Sequence, residues 1–346
     1  ISIVYAAAVF FGNGNLKLTT ELAVAGLVIG EISSTIFNIV SYKTTYDTRQ
    51  IANNAKRSTI KADKTKIMSI SILKMSIPLT SNRLIISVLS SVEAVIIPSM
   101  LRRYGLSNTE ALSIYGIINV MVKPFIMFPS TITNSLSVLL LPTISEASAT
   151  NNKASIRRTT NLSIKYSLLI GILSTGIFLV FGQELGLLIY NNDLAGKYLT
   201  TFAWLCSFLY ISTTFNSILN GLNKVHISFF SSVAGLSIRI LIILLLTPKK
   251  GISAYFFALL FSLLFMTIFE FYIIYKYTNA NLDAINTIAI PGLIVLISGY
   301  IVKNIYNYFK GTYNGIILIL LFCIIYCLIY IILLVATKVI KKVDFR

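Results

Sequence analysis

Long apolar runs alternate with short polar segments along the whole chain. A bilayer core of about 30 Å requires roughly 20 helical residues at about 1.5 Å each. Nine runs are long enough to span it: 16–42, 69–103, 110–143, 161–183, 199–220, 225–247, 251–276, 288–309 and 313–337. Residues 1–11 look like the end of a further run. The pattern therefore predicts an all-α polytopic membrane protein.

Composition supports this class, because 56% of the residues are hydrophobic, only 12% are charged and the mean hydropathy is +0.81. Soluble domains usually contain about 25% charged residues. The sequence begins inside an apolar run and lacks the charged start of a signal peptide. We therefore expect it to be a piece of a longer protein whose N-terminal part is missing.

The net charge of +17 is unevenly distributed. If successive loops lie on alternate sides of the membrane, one side carries 16 Lys and Arg residues and the other carries 8. Cytoplasmic loops are the richer in Lys and Arg, so the side that includes the C-terminal tail is predicted to be cytoplasmic. We interpret the basic excess as a topology signal and not as a nucleic-acid-binding surface.

The longest polar segment, 43–66, predicts a basic cytoplasmic linker. It separates residues 1–42, the end of one lobe, from a set of six spans that we assign to a lobe at 67–280. Residues 281–346 then hold a final pair of spans and a basic tail.

Several ionisable residues lie inside the runs. An Arg or Lys at the centre of a membrane helix costs roughly 2.5–3.5 kcal/mol and usually faces the interior of a bundle. Arg83 shares one helix face with Ser87 and with other hydroxyl residues at spacings of three and four. Glu93 lies on a neighbouring face of the same helix and is a candidate partner for a cation on another helix.

Three further helix faces carry polar residues in the same arrangement, and we call each such face a polar stripe. Lys123 shares a stripe with Asn119 and Asn134, and Arg239 shares one with small residues. Glu31 lies on a stripe in the first long run. Broken helices near the membrane midplane are typical of transporter binding sites. The candidate hinges are four prolines in the runs 69–103 and 110–143: Pro78, Pro98, Pro124 and Pro129.

Two interpretations of the stripes are open. Polar side chains commonly hold membrane helices together through hydrogen bonds. Alternatively, the stripes line an aqueous cavity, where cations without matching acids attract an anion strongly because the dielectric constant is low. We favour a cavity in which Arg83, Lys123 and Arg239 bind a negatively charged substrate. Glu93 or Glu31 would then form an ion pair or couple transport to an ion.

The sequence offers no set of residues typical of an enzyme. The single histidine, His226, has no acid at a useful spacing, and the common nucleotide, metalloprotease and serine-hydrolase motifs are absent. Cys206, Cys323 and Cys327 lie within apolar runs, where free cysteine packs as a small apolar residue. We predict no catalysis, no cofactor and no metal.

Three segments carry a resemblance to a known family. They are "NRLIISVLSSVEAVIIPSML" (82–101), "FPSTITNSLSVLLLPTISEA" (128–147) and "ILNGLNKVHISFFSSVAGLSIRILIILLLTPKKGISA" (218–254). They look like the polysaccharide-transporter branch of the MOP exporter superfamily, which includes lipid II flippases, and the resemblance covers nearly the whole chain.

The resemblance implies a fold of fourteen helices, with two six-helix lobes and an extra C-terminal pair. It implies a transporter of the bacterial cell membrane that flips undecaprenyl-pyrophosphate-linked saccharides by alternating access, here for spore cortex peptidoglycan. Arg83 and Glu93 stand at positions that match the family pattern, and Arg239 stands where basic residues are common. Lys123 matches no family motif, so its role depends on its stripe alone.

Three alternative functions stay open: a multidrug or cation antiporter of the same superfamily, a membrane scaffold without transport, and a membrane polymerase. Expected partners are the anionic lipid-linked sugar and membrane lipids. The driving force is left open among protons, sodium and membrane potential.

Overall fold

The computed structural model describes residues 25–26, 28–43, 62–310 and 315–340, with side chains at all of these except 62–79 and 82. Every regular element in these ranges is helical. The chain divides into two compact units, Ile1–Ser76 and Ile77–Arg346. The first contains a helix over 28–43, which we call α1.

Within the described residues, nine longer helices follow α1. They are α2 (Ala62–Arg103), α3 (Asn108–Met127), α4 (Ser130–Ala149), α5 (Lys153–Tyr190), α6 (Asp193–Gly221), α7 (Val225–Lys250), α8 (Ile252–Thr278), α9 (Ile285–Lys310) and α10 (Ile316–Ala336). Eight helical segments, all but α1 and α4, are long and apolar enough to cross a bilayer; in α2 the segment is Arg83–Arg103. The prediction of a multi-pass helical membrane protein is therefore confirmed.

The run predicted at 110–143 is not one helix. It contains a π-helical turn at Ile117–Val122, and it is divided at Phe128 and Pro129 between α3 and α4. Proline has no N–H to donate and its ring clashes with the preceding turn, and a wide π turn is one way in which a helix absorbs such a clash. The backbone of α2, in contrast, is helical through Pro78 and Pro98.

Backbone carbonyls freed by this irregular segment find partners on other helices. The Tyr190 hydroxyl donates to the carbonyl of Met121 at 3.2 Å, and the buried Tyr210 hydroxyl donates to that of Ile126 at 2.5 Å. An unsatisfied carbonyl in hydrocarbon would cost several kcal/mol. Tyrosines on α5 and α6 therefore stabilise the broken helix.

Helix α5 is central to the second unit and packs against α4, α6, α9 and α10. The Tyr330 hydroxyl of α10 donates to the Leu169 carbonyl of α5 at 3.1 Å, and the Tyr326 hydroxyl donates to the Val295 carbonyl of α9 at 2.7 Å. Lys303 of α9 pairs with Glu184 of α5 at 2.6 Å. The Tyr326 bond joins the two C-terminal helices to each other, and the Tyr330 and Lys303 contacts fix the pair to α5.

Candidate functional site

Three charged side chains from different helices meet inside the second unit. Glu93 comes from α2, Lys123 from α3 and Arg239 from α7. Arg239 Nη1 lies 3.3 Å from Glu93 Oε2, and only 13% of the Arg239 side chain and 8% of the Glu93 side chain are exposed. The charges of Glu93 and Arg239 both act on Lys123. We call these three residues the charged cluster.

Arg239 is held on two sides. Its Nε donates to the hydroxyl of Ser262 on α8 at 3.0 Å, while Nη1 donates to Glu93. The Ser262 hydroxyl in turn donates to the Leu259 carbonyl at 2.9 Å. The guanidinium is therefore oriented into the bundle.

Lys123 follows the π turn of α3 directly. Its Nζ donates to Asn119 Oδ1 at 2.7 Å and lies 5.8 Å from the centre of the Tyr255 ring. The Asn119 amide is itself fixed by a bond to the Tyr115 carbonyl at 3.0 Å. Tyr255 is fully buried, and its hydroxyl has no hydrogen-bond partner among the described residues.

Lys123 and Arg239 line the same cavity, which has a volume of about 230 Å³. Apolar side chains from α3, α6 and α8 form its remaining wall: Ile126, Met127, Phe202, Leu205, Leu209, Leu259 and Leu263. A liquid water molecule occupies about 30 Å³, so the cavity suits a group of phosphate size and not a whole lipid-linked sugar. Two cations and one acid leave the cluster with a formal charge of +1.

The other predicted site residues lie elsewhere. Arg83 is exposed on α2, ten residues before Glu93 and therefore about 15 Å away along the helix. Ser87 is exposed and lines a shallow groove on the same helix, and Asn134 is exposed on α4. Glu31 is exposed in α1, in the other unit. The structure thus brings together Lys123, Arg239, Glu93 and Asn119, but not Arg83, Ser87 or Asn134.

The predicted hinges fall into two classes. Pro124 and Pro129 accompany the π turn and the break between α3 and α4, whereas the helix is continuous through Pro98, which is buried, and through position 78. Flexibility at the first two positions stays a prediction.

Sequence reasoning missed two further intramembrane acids. Glu184 is paired with Lys303, and Glu270 of α8 is completely buried with both carboxyl oxygens unpartnered among the described residues. A search for acids as well as cations inside the apolar runs would have found Glu270, whereas Glu184 lies one residue beyond the run at 161–183. No group of three or more His, Cys, Asp or Glu residues within the described ranges is placed to hold a metal ion.

A second cavity, of about 410 Å³, lies between α5, α6 and α9. Its lining is apolar, with Leu168, Leu179, Trp204, Phe208 and Val295 among the contributing side chains. None of the described residues that line it is charged. Its apolar lining suits an acyl chain rather than a polar group.

The helices and the intramembrane cluster define the class: a multi-pass helical membrane protein with a polar site inside its bundle. Residues 84–245 of the chain match the MatE family model. These residues include the whole charged cluster, and the resemblance predicted from the sequence motifs is confirmed.

Two relatives show the similarity more specifically. Stage V sporulation protein B of Bacillus subtilis (strain 168) is 24% identical over 316 residues, which are 89% of this chain and 59% of that protein. Sporulation protein YkvU of the same organism is 29% identical over 128 residues, or 37% of this chain and 29% of that protein. The chain thus spans well under two thirds of the curated relatives that it matches. No solved structure gave a significant match.

Proposed function

We propose that this chain belongs to a membrane transporter that moves an anionic, lipid-linked saccharide across the bilayer. The observation that carries the proposal is the cavity lined by both Lys123 and Arg239. Cations at membrane depth are costly, and they are retained mainly where they serve a function. Because the cluster has a surplus positive charge in a largely apolar surrounding, it favours a phosphate or pyrophosphate group.

The two relatives reduce the number of candidate substrates. Both carry sporulation in their names, and the sequence motifs resemble transporters of undecaprenyl-pyrophosphate-linked sugars. We propose a peptidoglycan precursor for the spore cortex as the substrate, with no covalent chemistry involved. The pyrophosphate would contact Lys123 and Arg239, Asn119 would contact a sugar hydroxyl, and the lipid tail would stay in the bilayer.

The proposed mechanism is alternating access between two lobes. Residues 1–42 would end the first lobe, 43–66 would link the lobes in the cytoplasm, and 67–280 would form the second lobe. The pair in 281–346 would end in a cytoplasmic tail. Arg83, Ser87 and Asn134, which are exposed, would contact the substrate outside the charged cluster. The segment around Pro124 and Pro129 would bend.

The test is binding of an undecaprenyl-pyrophosphate saccharide to the purified full-length protein, measured by native mass spectrometry. Hydrogen bonds to charged groups contribute about 1.5–3 kcal/mol, so Lys123→Ala should weaken binding at least tenfold. Lys197→Ala is the matched control, because Lys197 is an exposed lysine paired with Asp193 at 2.8 Å. Arg83→Ala tests whether the exposed Arg83 also contacts the substrate.

Equal affinities of the wild type, Lys123→Ala and Lys197→Ala would refute the assignment of the cavity to phosphate. A cation or drug antiporter is the second candidate, favoured by Glu93 in the cluster and by the buried Glu270. It would bind a cationic dye saturably and would not bind the lipid pyrophosphate.

A further inference from the structure

Helices α7 and α8 meet along a seam of facing residues, each pair one helical turn from the next. Arg239 bonds to Ser262 at 3.0 Å. One turn along, a Cβ added to Gly235 would lie 2.4 Å from Met266 Sδ, so the helices are in close contact there. One turn further, Ser231 lies beside Glu270. Residue numbers fall on α7 as they rise on α8, as an antiparallel pair requires.

Glu270 differs from the other two acids that lie deep in the helices. Glu93 has Arg239 at 3.3 Å and Glu184 has Lys303 at 2.6 Å. Glu270 is 0% exposed, and neither carboxyl oxygen has a hydrogen-bond partner within the described ranges. The neighbouring Ser231 hydroxyl is also 0% exposed and also lacks a partner with ordinary hydrogen-bond geometry.

The elements packed against this part of α8 present no compensating charge. Among the described residues, Ser231 is the polar side chain placed beside the Glu270 carboxyl group, and no ion pair joins Glu270 to a charged residue of α5, α6, α7 or α8. The titratable groups on those helices include Lys165 and Tyr166 of α5, Tyr210 of α6 and His226 at the exposed start of α7. On α8 itself, Tyr272, Tyr275 and Lys276 occupy exposed positions. An ionised carboxylate without water, a cation or a hydrogen-bond donor is strongly disfavoured.

We propose that Glu270 is a proton-binding site and that it carries its proton in the state described. A protonated carboxyl donates one hydrogen bond, and the adjacent Ser231 hydroxyl is available to accept it. The site lies two helical turns from Arg239, about 12 Å along the α7–α8 seam. Loading and release of a proton at Glu270 would therefore change the charge close to the proposed substrate cavity.

A role for this proton in driving transport rests on the proposed function, but the occupancy of Glu270 by a proton does not. The protonation of Glu270 and the proposed transport function can be refuted independently of each other. Loss of lipid-pyrophosphate binding would leave the protonation state of Glu270 untouched, and an ionised Glu270 would leave the Lys123–Arg239 cavity intact.

The test is infrared spectroscopy of the full-length protein in lipid at neutral pH. Wild type should show the carbonyl stretching band of a protonated carboxylic acid. The band should be lost in Glu270→Gln and kept in Glu184→Gln, the matched control at an ion-paired acid. An unchanged spectrum in Glu270→Gln would overturn the proposal, and so would the absence of this band from the wild-type spectrum.

A second measurement needs no variant. Dicyclohexylcarbodiimide reacts with protonated carboxyl groups in apolar surroundings, and mass spectrometry of the digested wild-type protein locates the product. Labelling at Glu270 should exceed labelling at Glu93 and Glu184 by at least tenfold at neutral pH. Labelling of Glu184 in preference to Glu270 would contradict the proposal.

Discussion

Removing either member of the Glu93–Arg239 pair should destabilise the protein more than removing both. Both side chains are almost fully buried, and their closest atoms are 3.3 Å apart. Glu93→Gln leaves a buried guanidinium without its acid, and Arg239→Gln leaves a buried carboxylate without its cation. The double variant leaves neither charge uncompensated.

The size of this destabilisation follows from the distance between the two charges and from their burial. At 3.3 Å and an effective dielectric constant of about 20, the attraction between two unit charges is roughly 5 kcal/mol before desolvation is subtracted. Loss of one partner of a buried pair costs about 3–5 kcal/mol, whereas replacement of both partners is often nearly neutral. We therefore expect each single variant to lose about 3 kcal/mol and the double variant to lose about 1 kcal/mol, so that the cycle gives a coupling energy of about 5 kcal/mol.

Equilibrium unfolding of the full-length protein in mixed micelles measures this coupling. Asp193 and Lys197 supply the control cycle, because they form a shorter ion pair, 2.8 Å, with about half of each side chain exposed. Solvent and salt screen such a pair, so its coupling should be close to the error of the measurement. The reasoning fails if the two cycles give equal coupling, or if the Glu93→Gln and Arg239→Gln effects simply add.

Two further predictions concern helix packing. Gly186→Ala places a methyl group 2.2 Å from the backbone nitrogen of Gly196, so it should lower stability by about 1–3 kcal/mol or more. Gly116→Ala should not lower stability, because its new Cβ meets nothing within 4 Å. Thermal unfolding of both variants gives the comparison, and equal midpoints would contradict the prediction. Lys303→Met removes the cation that lies 2.6 Å from Glu184. It should therefore speed hydrogen exchange in α9 but not in α7. Unchanged exchange in α9 would show that the Lys303–Glu184 pair does not fix this helix.

Eight of the nine membrane spans predicted from sequence, all but the run 16–42, match candidate spans of the described residues, because one long apolar run produces one hydrogen-bonded helix in hydrocarbon. The division of the run 110–143 into α3 and α4 was harder to predict. Its prolines signal an irregularity, but they do not specify where the helix breaks, which is at Phe128 and Pro129, between Lys123 and Asn134. The stripe that joined Lys123 to Asn134 assumed an uninterrupted helix, and Asn134 lies on an exposed face instead.

The candidate site was only partly predictable for a related reason. The Lys123–Asn119 bond joins residues four apart on one helix, a spacing that sequence alone reveals. The Glu93–Arg239 bond joins residues 146 positions apart, and nothing in either helix specifies which faces will meet. Glu270 carries a local signal, since it stands eight residues after Ser262 on one face of α8.

The partners within the charged cluster favour an anionic cargo over a cationic one. The single acid of the cluster, Glu93, is already bound to Arg239, so a cationic ligand would have to displace a buried guanidinium to reach it. Lys123 is bonded to a neutral amide oxygen, that of Asn119, and still has two N–H groups to donate. An anion entering the cavity can therefore bind Lys123 without breaking any ion pair and lies beside Arg239 at once. The same three charges arranged with Glu93 free and the two cations paired elsewhere would favour the opposite cargo.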